Sequence, residues 1–165
     1  TYSAGIVGIE GYQVTVECSV RAGMERFDLV GLPDNAVREA RERVRAACMN
    51  SGYYFPDRNI LVNLAPANRK KEGSAFDLAI LVGILTAAGA IPAANVNEGL
   101  CFVGELSLSG EVRPAPRTEQ RIAEAARLGF KRIVVSSFVE KSIKKRNDIE
   151  VVYISSIEQL PKSLF

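Results

Sequence analysis

The chain has 165 residues, which is enough for one domain with a substantial hydrophobic core. Hydrophobic residues make up 47% of it and charged residues 24%, a composition that excludes a disordered chain. The net charge of +2 is too small to indicate nucleic-acid binding by itself, and the lack of histidine excludes histidine-based catalysis or metal binding.

Redox and targeting signals are few. Cys18, Cys48 and Cys101 stand far apart among apolar residues, which predicts buried free thiols in a reducing cytosol and no structural zinc site. The longest apolar run, Leu78–Ala88, is shorter than a membrane-spanning helix, so we expect a cytoplasmic protein with no membrane partner. The chain starts at Thr1, which indicates a piece of a longer protein.

In chain order, the sequence predicts hairpins and single strands mixed with helices. Asp34 is the predicted N-cap of an amphipathic first helix, and Ser74 with Asp77 forms a predicted capping box for the second. The two hairpin turns are predicted at Glu10-Gly11 and Ser109-Gly110. The predicted strands cover residues 4–9, 12–20, 27–30, 60–64, 100–108, 111–113, 132–135 and 151–154. The predicted helices cover residues 35–50 and 75–88, a third helix that Thr118 caps and Gly129 ends, and residues 138–145. Ser155 with Glu158 caps a last turn.

The order of these elements is not a strict alternation of strand and helix. It predicts one domain over residues 1–165 with an α+β fold, in which helices pack on a mixed β-sheet. The helix over 75–88 is apolar nearly all round, so we expect it in the middle of the domain.

A polar, basic loop before the second helix is the first candidate for chemistry. A serine beside a lysine at a helix start can act as a nucleophile with its base, which points to Ser74 with Lys70 or Lys71. The alternative is that Ser74 caps the helix while both lysines are solvated. The loop also suits an anion, although the chain has no GxxxxGK[ST] phosphate-binding pattern.

Clusters of basic residues are the second candidate, because they can contact nucleic-acid phosphates. The candidate residues are Arg38 and Arg45 on the first helix and Arg69, Lys70 and Lys71 in the loop. The alternative is a solubilising surface with acids nearby. Glu105 is the acid inside an apolar hairpin, and we interpret it as a structural partner of Arg113.

Three long motifs resemble one known family. They are Phe27–Asp34 with Arg38–Ala47, Asn63–Ala67 with Lys70–Leu78, and Gly104–Pro114. Together they resemble the amino-terminal domain of the ComM/YifB family of magnesium-chelatase-like AAA+ proteins, and the resemblance covers essentially the whole chain.

The resemblance implies the organisation of a longer protein. In that family the domain precedes an AAA+ ATPase module, which carries the Walker motifs and so the ATP and Mg sites, and a short carboxy-terminal domain. Both are absent from this chain, for which no cofactor is expected. The family's role is hexameric, ATP-driven DNA branch migration in natural transformation. The implied partners are the protein's own AAA+ module, further copies in a hexamer, and DNA.

The domain is also similar to the proteolytic domain of Lon, a fold shared with a domain of a small-subunit ribosomal protein. Aligned without gaps, the position of Lon's nucleophilic serine falls on Ala75 and that of its lysine on Glu119. A slip of one residue brings Ser74 into the nucleophile position but leaves Glu119 unsuitable. The resemblance therefore implies a Lon-like fold without peptidase activity.

The expected function is a non-catalytic accessory domain of a ring ATPase, which aids ring assembly, DNA engagement or both. Arg38, Arg45, Arg69, Lys70 and Lys71 are the expected DNA-facing residues. Two alternatives stay open at this point. One is a Ser-Lys peptidase of the Lon type that uses Ser74, and the other is a regulatory domain of the magnesium-chelatase type, for which no metal-binding cluster is visible.

Overall fold

The computed structural model describes residues 1–96 and 99–164, and among these a seven-stranded sheet forms the framework. The strands are Tyr2–Val7 (β1), Glu10–Arg21 (β2), Arg26–Val30 (β3), Asn59–Ala65 (β4), Leu100–Phe102 (β5), Glu105–Leu106 (β6), Val112–Arg113 (β7), Arg132–Ser136 (β8) and Glu150–Ile154 (β9). The α-helices are Asn35–Arg38 (α1), Ala40–Asn50 (α2), Asp77–Ala87 (α3), Thr118–Arg127 (α4) and Leu160–Leu164 (α5). Short 3-10 helices cover Ala93–Asn95, Ser137–Ser142 and Ile157–Gln159.

The large sheet is mixed. Its strand order is β3-β4-β2-β1-β5-β8-β9. β2 pairs antiparallel with β1 and with β4, whereas the other neighbouring strands run parallel. β6 and β7 form a separate antiparallel ribbon. This architecture confirms the predicted α+β class with a mixed sheet and packed helices.

Alternating side chains give the middle of the sheet two buried faces. Leu100 and Phe102 of β5 pack in one cluster with α2 and α3, whereas Cys101 packs on the opposite face with α4. The apolar helix α3 lies in the first cluster as predicted, and its residues from Asp77 to Leu85 are all buried. The outer face of β2, β4 and β3 is more open, and Leu61 there is 42% exposed.

The first hairpin turns at Gly8-Ile9, so the predicted turn at Glu10-Gly11 is wrong. Gly11 lies within β2 opposite Ile6, and α4 packs directly against it. Its N–H donates to the Glu124 carboxylate at 2.9 Å, and an added Cβ would lie 2.4 Å from the Cβ of Glu124. From the sequence alone, a strand glycine that allows a helix to pack closely cannot be distinguished from a turn glycine.

Three predicted helices differ from the structure. The first is interrupted at Glu39, which separates α1 from α2. The third begins after Arg117, since the Thr118 hydroxyl donates back to the Ala115 carbonyl at 2.6 Å instead of capping the helix. The segment over 138–145 is not an α-helix. A 3-10 helix covers Ser137–Ser142, and because none of its residues is buried, no packing supports a longer helix.

The predicted strand over 100–108 is broken at Gly104. Its N–H donates to the Ala75 carbonyl at 3.0 Å, and its carbonyl accepts from the Leu78 N–H at 3.1 Å, so the chain leaves the sheet there. The predicted second hairpin is confirmed as the pairing of β6 with β7. The final turn is capped by Ser156 with Gln159, not by Ser155 with Glu158.

Gly31, just after β3, lies close to the backbone of Leu64 in β4, and its substitution tests this close approach. Its φ is +105°, and an added Cβ would lie 2.3 Å from the Leu64 carbonyl oxygen. We expect Gly31→Ala to lower the free energy of unfolding by about 2 kcal/mol or more, measured by urea denaturation.

Gly52→Ala is the matched control, because Gly52 also has a positive φ of +78° but nothing lies near the position of its Cβ. Its loss should be about 1 kcal/mol, which reports backbone conformation alone. Equal losses for the two variants would contradict the close approach at Gly31.

Candidate functional site

The three sequence motifs meet at the end of the sheet where β3 and β4 leave it. The segment after β3 and the basic loop pair side by side: the Lys71 N–H donates to the Leu32 carbonyl, and the Asp34 N–H donates to the Lys71 carbonyl, both at 3.0 Å. The Asp34 carboxylate accepts from the N–H of Val37 at 2.8 Å and of Gly73 at 3.1 Å. Asp34 therefore caps α1 as predicted and also anchors the loop.

Lys71 is fully buried, so the expectation of a solvated, DNA-facing lysine is wrong. Its ammonium donates to the Gly31 carbonyl at 2.8 Å and to the Pro66 carbonyl. Burial, with a smaller effect from the charge of Arg69, lowers the pKa of Lys71. This side chain holds two chain segments together and is not available to a phosphate.

Ser74 does not cap α3, which corrects that interpretation. The residue at the cap position is Phe76, whose side chain cannot form a hydrogen bond. The Ser74 hydroxyl donates to the Glu105 carboxylate instead of to the helix. Glu105 also lies 3.9 Å from the Arg113 guanidinium, as predicted for this pair. Among the hydrogen bonds of the described residues, none joins Ser74 to Lys70 or Lys71.

A buried ion pair connects α2, α3 and the ribbon. The Arg43 guanidinium contacts both carboxylate oxygens of Asp77, at 2.6 and 3.0 Å, and the Leu106 N–H donates to the same carboxylate at 3.1 Å. Burial raises the pKa of Asp77, and its hydrogen bonds with Arg43 act in the opposite direction. This role of Arg43 was not predicted from the sequence. The missed signal was Asp77, an acid in an otherwise apolar helix, which requires a cation.

The two positions of the Lon resemblance differ in environment. Ala75 is buried and packs with α4 and β5, whereas Glu119 is exposed in the first turn of α4. The carbonyl of Ala75 is occupied by Gly104. The methyl group of Ala75 offers no nucleophile.

The remaining basic candidates lie on two separate surfaces. On the helix surface, Arg38 is exposed, and Arg45 pairs with Glu25 and lies over the Phe55 ring at 5.3 Å. On the loop surface, Arg69 lies over the Tyr12 ring at 4.4 Å, and Lys70 pairs with Glu72 at 3.6 Å. The structure thus divides the predicted set and removes Lys71 from it.

Arg69 and Lys70 border a groove of about 490 Å³ between the basic loop, β1 and α4. We call this the cationic groove. Its charged lining residues are Arg69, Lys70, Glu72, Arg117 and Arg121. Sequence reasoning missed Arg117 and Arg121. The available signal was helical spacing, because Arg121 occupies the buried face of α4 with Thr118, Ile122 and Ala125.

Other chemistry finds little support in the described part of the chain. Residues 1–96 and 99–164 contain no group of three or more acidic or cysteine side chains that could hold a metal ion. No helix within the same residues is long and apolar enough to cross a membrane. The cysteines are free thiols, and burial raises the pKa of Cys18 to about 12 and of Cys48 to about 11, which disfavours the reactive thiolate.

Comparison with known families gives one match over most of the chain. The family model described as subunit ChlI of magnesium chelatase matches residues 16–138. The matched region contains all three motifs that meet at the end of the sheet.

Individual relatives show the same pattern. A protein named YifB from Salmonella typhimurium is 40% identical over 135 residues, which cover 82% of this chain and 26% of the relative. Competence protein ComM from Haemophilus influenzae is 44% identical over 112 residues, or 68% of this chain and 22% of the relative. DNA repair protein RadA from Listeria monocytogenes is 41% identical over 96 residues, or 58% of this chain and 20% of the relative. The chain therefore spans about a quarter of the length of these relatives.

The buried Arg43–Asp77 pair generates the first prediction for this site. We expect Asp77→Asn to lower the free energy of unfolding by about 3 kcal/mol in urea denaturation, because it leaves a partly buried guanidinium without its charge partner. Glu39→Gln is the control, since Glu39 contacts the same arginine at 3.7 Å but is 72% exposed. Its loss should stay below about 1 kcal/mol. Similar losses for both variants would contradict the structural role of the buried pair.

Lys71 and its neighbour allow a second comparison. Lys71→Met should cost about 3 kcal/mol of unfolding free energy, because the carbonyls of Gly31 and Pro66 lose their donor. Lys70→Met should stay within about 0.5 kcal/mol, since that side chain is exposed. Thermal unfolding followed by circular dichroism would measure both. A stable Lys71→Met variant would show that the buried ammonium is not needed.

Proposed function

Because the chain belongs to the magnesium-chelatase ChlI family and to its ComM/YifB branch, we propose that it is the non-catalytic accessory domain of a hexameric AAA+ ATPase that remodels DNA. In this proposal the ATP and Mg sites lie in an AAA+ module outside this chain. The domain itself needs no cofactor, works in the cytoplasm, and aids assembly of the ring and contact with DNA. Its partners are that module, further copies of the protein, and DNA.

The observation that carries this proposal is that polar side chains of the sequence motifs form contacts within the domain itself. Lys71 is held by two backbone carbonyls, Asp77 by Arg43, and Ser74 donates to Glu105. Each of these groups is bound to another part of the same domain, so it is not free to act on a substrate. A domain in which the polar residues of the sequence motifs hold the fold together is better suited to be a scaffold within a larger assembly than a catalyst.

The names of two relatives support a role on DNA. One is a competence protein and the other a DNA repair protein. The chain offers phosphates two cationic surfaces, the helix surface with Arg38 and Arg45 and the loop surface with Arg69 and Lys70. Branch migration during natural transformation is the specific activity that we propose for the whole protein.

The description of the matching family favours a second candidate, a regulatory domain of the magnesium-chelatase type. Its test is whether the full-length protein supports metal insertion into a porphyrin. A Ser-Lys peptidase is less well supported. It requires a base for Ser74, whereas Lys70 contacts Glu72 and the Lys71 ammonium donates to the carbonyls of Gly31 and Pro66. Labelling by a serine-directed inhibitor that Ser74→Ala abolishes would favour the peptidase instead.

The experiment that tests the DNA role is fluorescence anisotropy of this chain with labelled single-stranded, duplex and junction DNA. We expect binding at low salt that weakens as the salt approaches physiological concentration, because phosphate contacts release counterions. An uncharged peptide nucleic acid of the same base sequence is the matched control and should not bind. Absence of DNA binding even at low salt would remove the DNA contact from this domain and leave it a role in assembly or regulation.

A further inference from the structure

The cationic groove contains a buried charge that lacks a counterion. Arg121 is only 8% exposed, and its guanidinium donates to the Ala4 carbonyl at 2.7 Å and the Pro116 carbonyl at 3.0 Å. Within residues 1–96 and 99–164, no carboxylate forms an ion pair with it. Burial, followed by the charge of Arg117, lowers the pKa of Arg121. Carbonyl oxygens satisfy its hydrogen bonds but do not neutralise it.

The surroundings of Arg121 add positive charge instead of removing it. Arg117, one helical turn earlier, has a left-handed backbone with φ of +60° and donates to the Gly8 carbonyl and, at 2.8 Å, to Gln120. Both arginines therefore reach carbonyls of β1 or its turn, and both line the groove. A left-handed arginine is unfavourable by about 1 kcal/mol or more, which the surrounding contacts must offset.

The opposite wall of the groove carries two more cations. The Arg69 guanidinium lies over the Tyr12 ring, and the Tyr12 hydroxyl donates to the Lys70 carbonyl at 3.2 Å, which fixes this part of the loop. Glu72 is the acid among the lining residues, and its pairing with Lys70 at 3.6 Å joins two side chains that are both about two-thirds exposed. Such a pair is weak and can open for a stronger anion.

We propose that the cationic groove binds phosphate groups of the DNA backbone through the buried Arg121 and the exposed Arg117, Arg69 and Lys70. The inference rests on the proposed function and adds the location of the contact. It also excludes the helix surface with Arg38 and Arg45 as the principal site. The Arg121 guanidinium has five N–H donors, of which one on Nε and one on Nη1 already bond carbonyls, so an anion in the groove would meet the others and neutralise the buried charge.

Several residues that line the groove are close in sequence to Ala75 and Glu119, the two positions of the Lon resemblance. Phe76, which lines the groove, follows Ala75, and Arg117 and Arg121 lie two residues on either side of Glu119. Close sequence neighbours of both positions at which the Lon resemblance predicts a dyad therefore line the groove. In this chain the neighbouring residues supply anion-binding groups in place of a nucleophile and its base.

The test measures the salt dependence of binding to a short labelled DNA single strand by fluorescence anisotropy. In Arg69→Gln/Lys70→Gln we expect weaker binding, and the slope of log affinity against log salt should become shallower by about 1.4, since two phosphate contacts are lost. Arg121→Lys keeps the charge but loses the planar fork, so we expect about tenfold weaker binding with an unchanged slope. Circular dichroism checks that each variant is folded. If Arg121→Lys does not fold, Arg69→Gln/Lys70→Gln alone decides the test.

Arg21→Gln/Arg58→Gln is the matched control, because it also removes two exposed charges from adjoining strand ends, at the opposite end of β2 from Tyr12, which lines the groove. It should bind DNA as the unaltered chain does. If the groove variants bind normally while the unaltered chain binds DNA, the groove is not the contact and the proposed function survives. A polyglutamate peptide that binds the groove as tightly as DNA would overturn the proposal in favour of an acidic protein partner.

An NMR titration with inorganic phosphate separates the remaining outcomes. The backbone amides of Gly8 and Arg117 should shift as phosphate is added, and less so in Arg69→Gln/Lys70→Gln. Such shifts without any DNA binding would overturn both the DNA role and this assignment, and would leave a site for small phosphate compounds. Absence of shifts together with normal DNA binding would overturn only the groove.

Discussion

The ammonium of Lys71 lies between the carbonyls of Gly31 and Pro66, at the point where β3 and β4 end and the chain turns towards α1 and α3. A charge in this position is costly to bury unless its donors are used, and here backbone oxygens use them. The contact fixes the basic loop, and the loop then positions Gly73 on Asp34 and Ser74 beside Glu105. The start of α3 and the placement of the β6–β7 ribbon both follow from this arrangement.

The same contacts give a physical meaning to the long motifs shared with the family. Asp34, Lys71, Asp77 and Glu105 come from three motifs that are far apart in the chain, and each contacts another motif segment or the helix beside it. Polar groups that satisfy one another inside a fold depend on the identity of every partner, because a single change leaves a buried donor or acceptor unpaired. A constraint of this kind can preserve a motif without catalysis. The groove that adjoins these contacts remains open and positively charged.

The sequence predicted those features that depend on local pattern. Strands β2 and β4 show a period of two because one face is buried, and α3 is recognisable from its apolar length. The roles of Lys71, Ser74 and Arg43 were not predictable in this way. Each depends on which distant segment lies opposite, and a lysine in a polar loop has the same pattern whether it faces water or two carbonyls. Gly11 was misread for the same reason, since only the approach of Glu124 distinguishes it from a turn glycine.

The pairing of β1 with β5 has a consequence for how the chain folds during synthesis. Tyr2 pairs with Cys101, so one edge of the first strand has no sheet neighbour until the chain has been made beyond β5. The β1–β2 hairpin is local and can form early, but one edge of β1 then stays open until β5 has been made. Open edges can pair with other chains, which makes this interval the period of greatest risk for aggregation. Arg117, just before α4, and Arg121 within it are made later still, so their contacts with the carbonyls of Gly8 and Ala4 form only once α4 is in place.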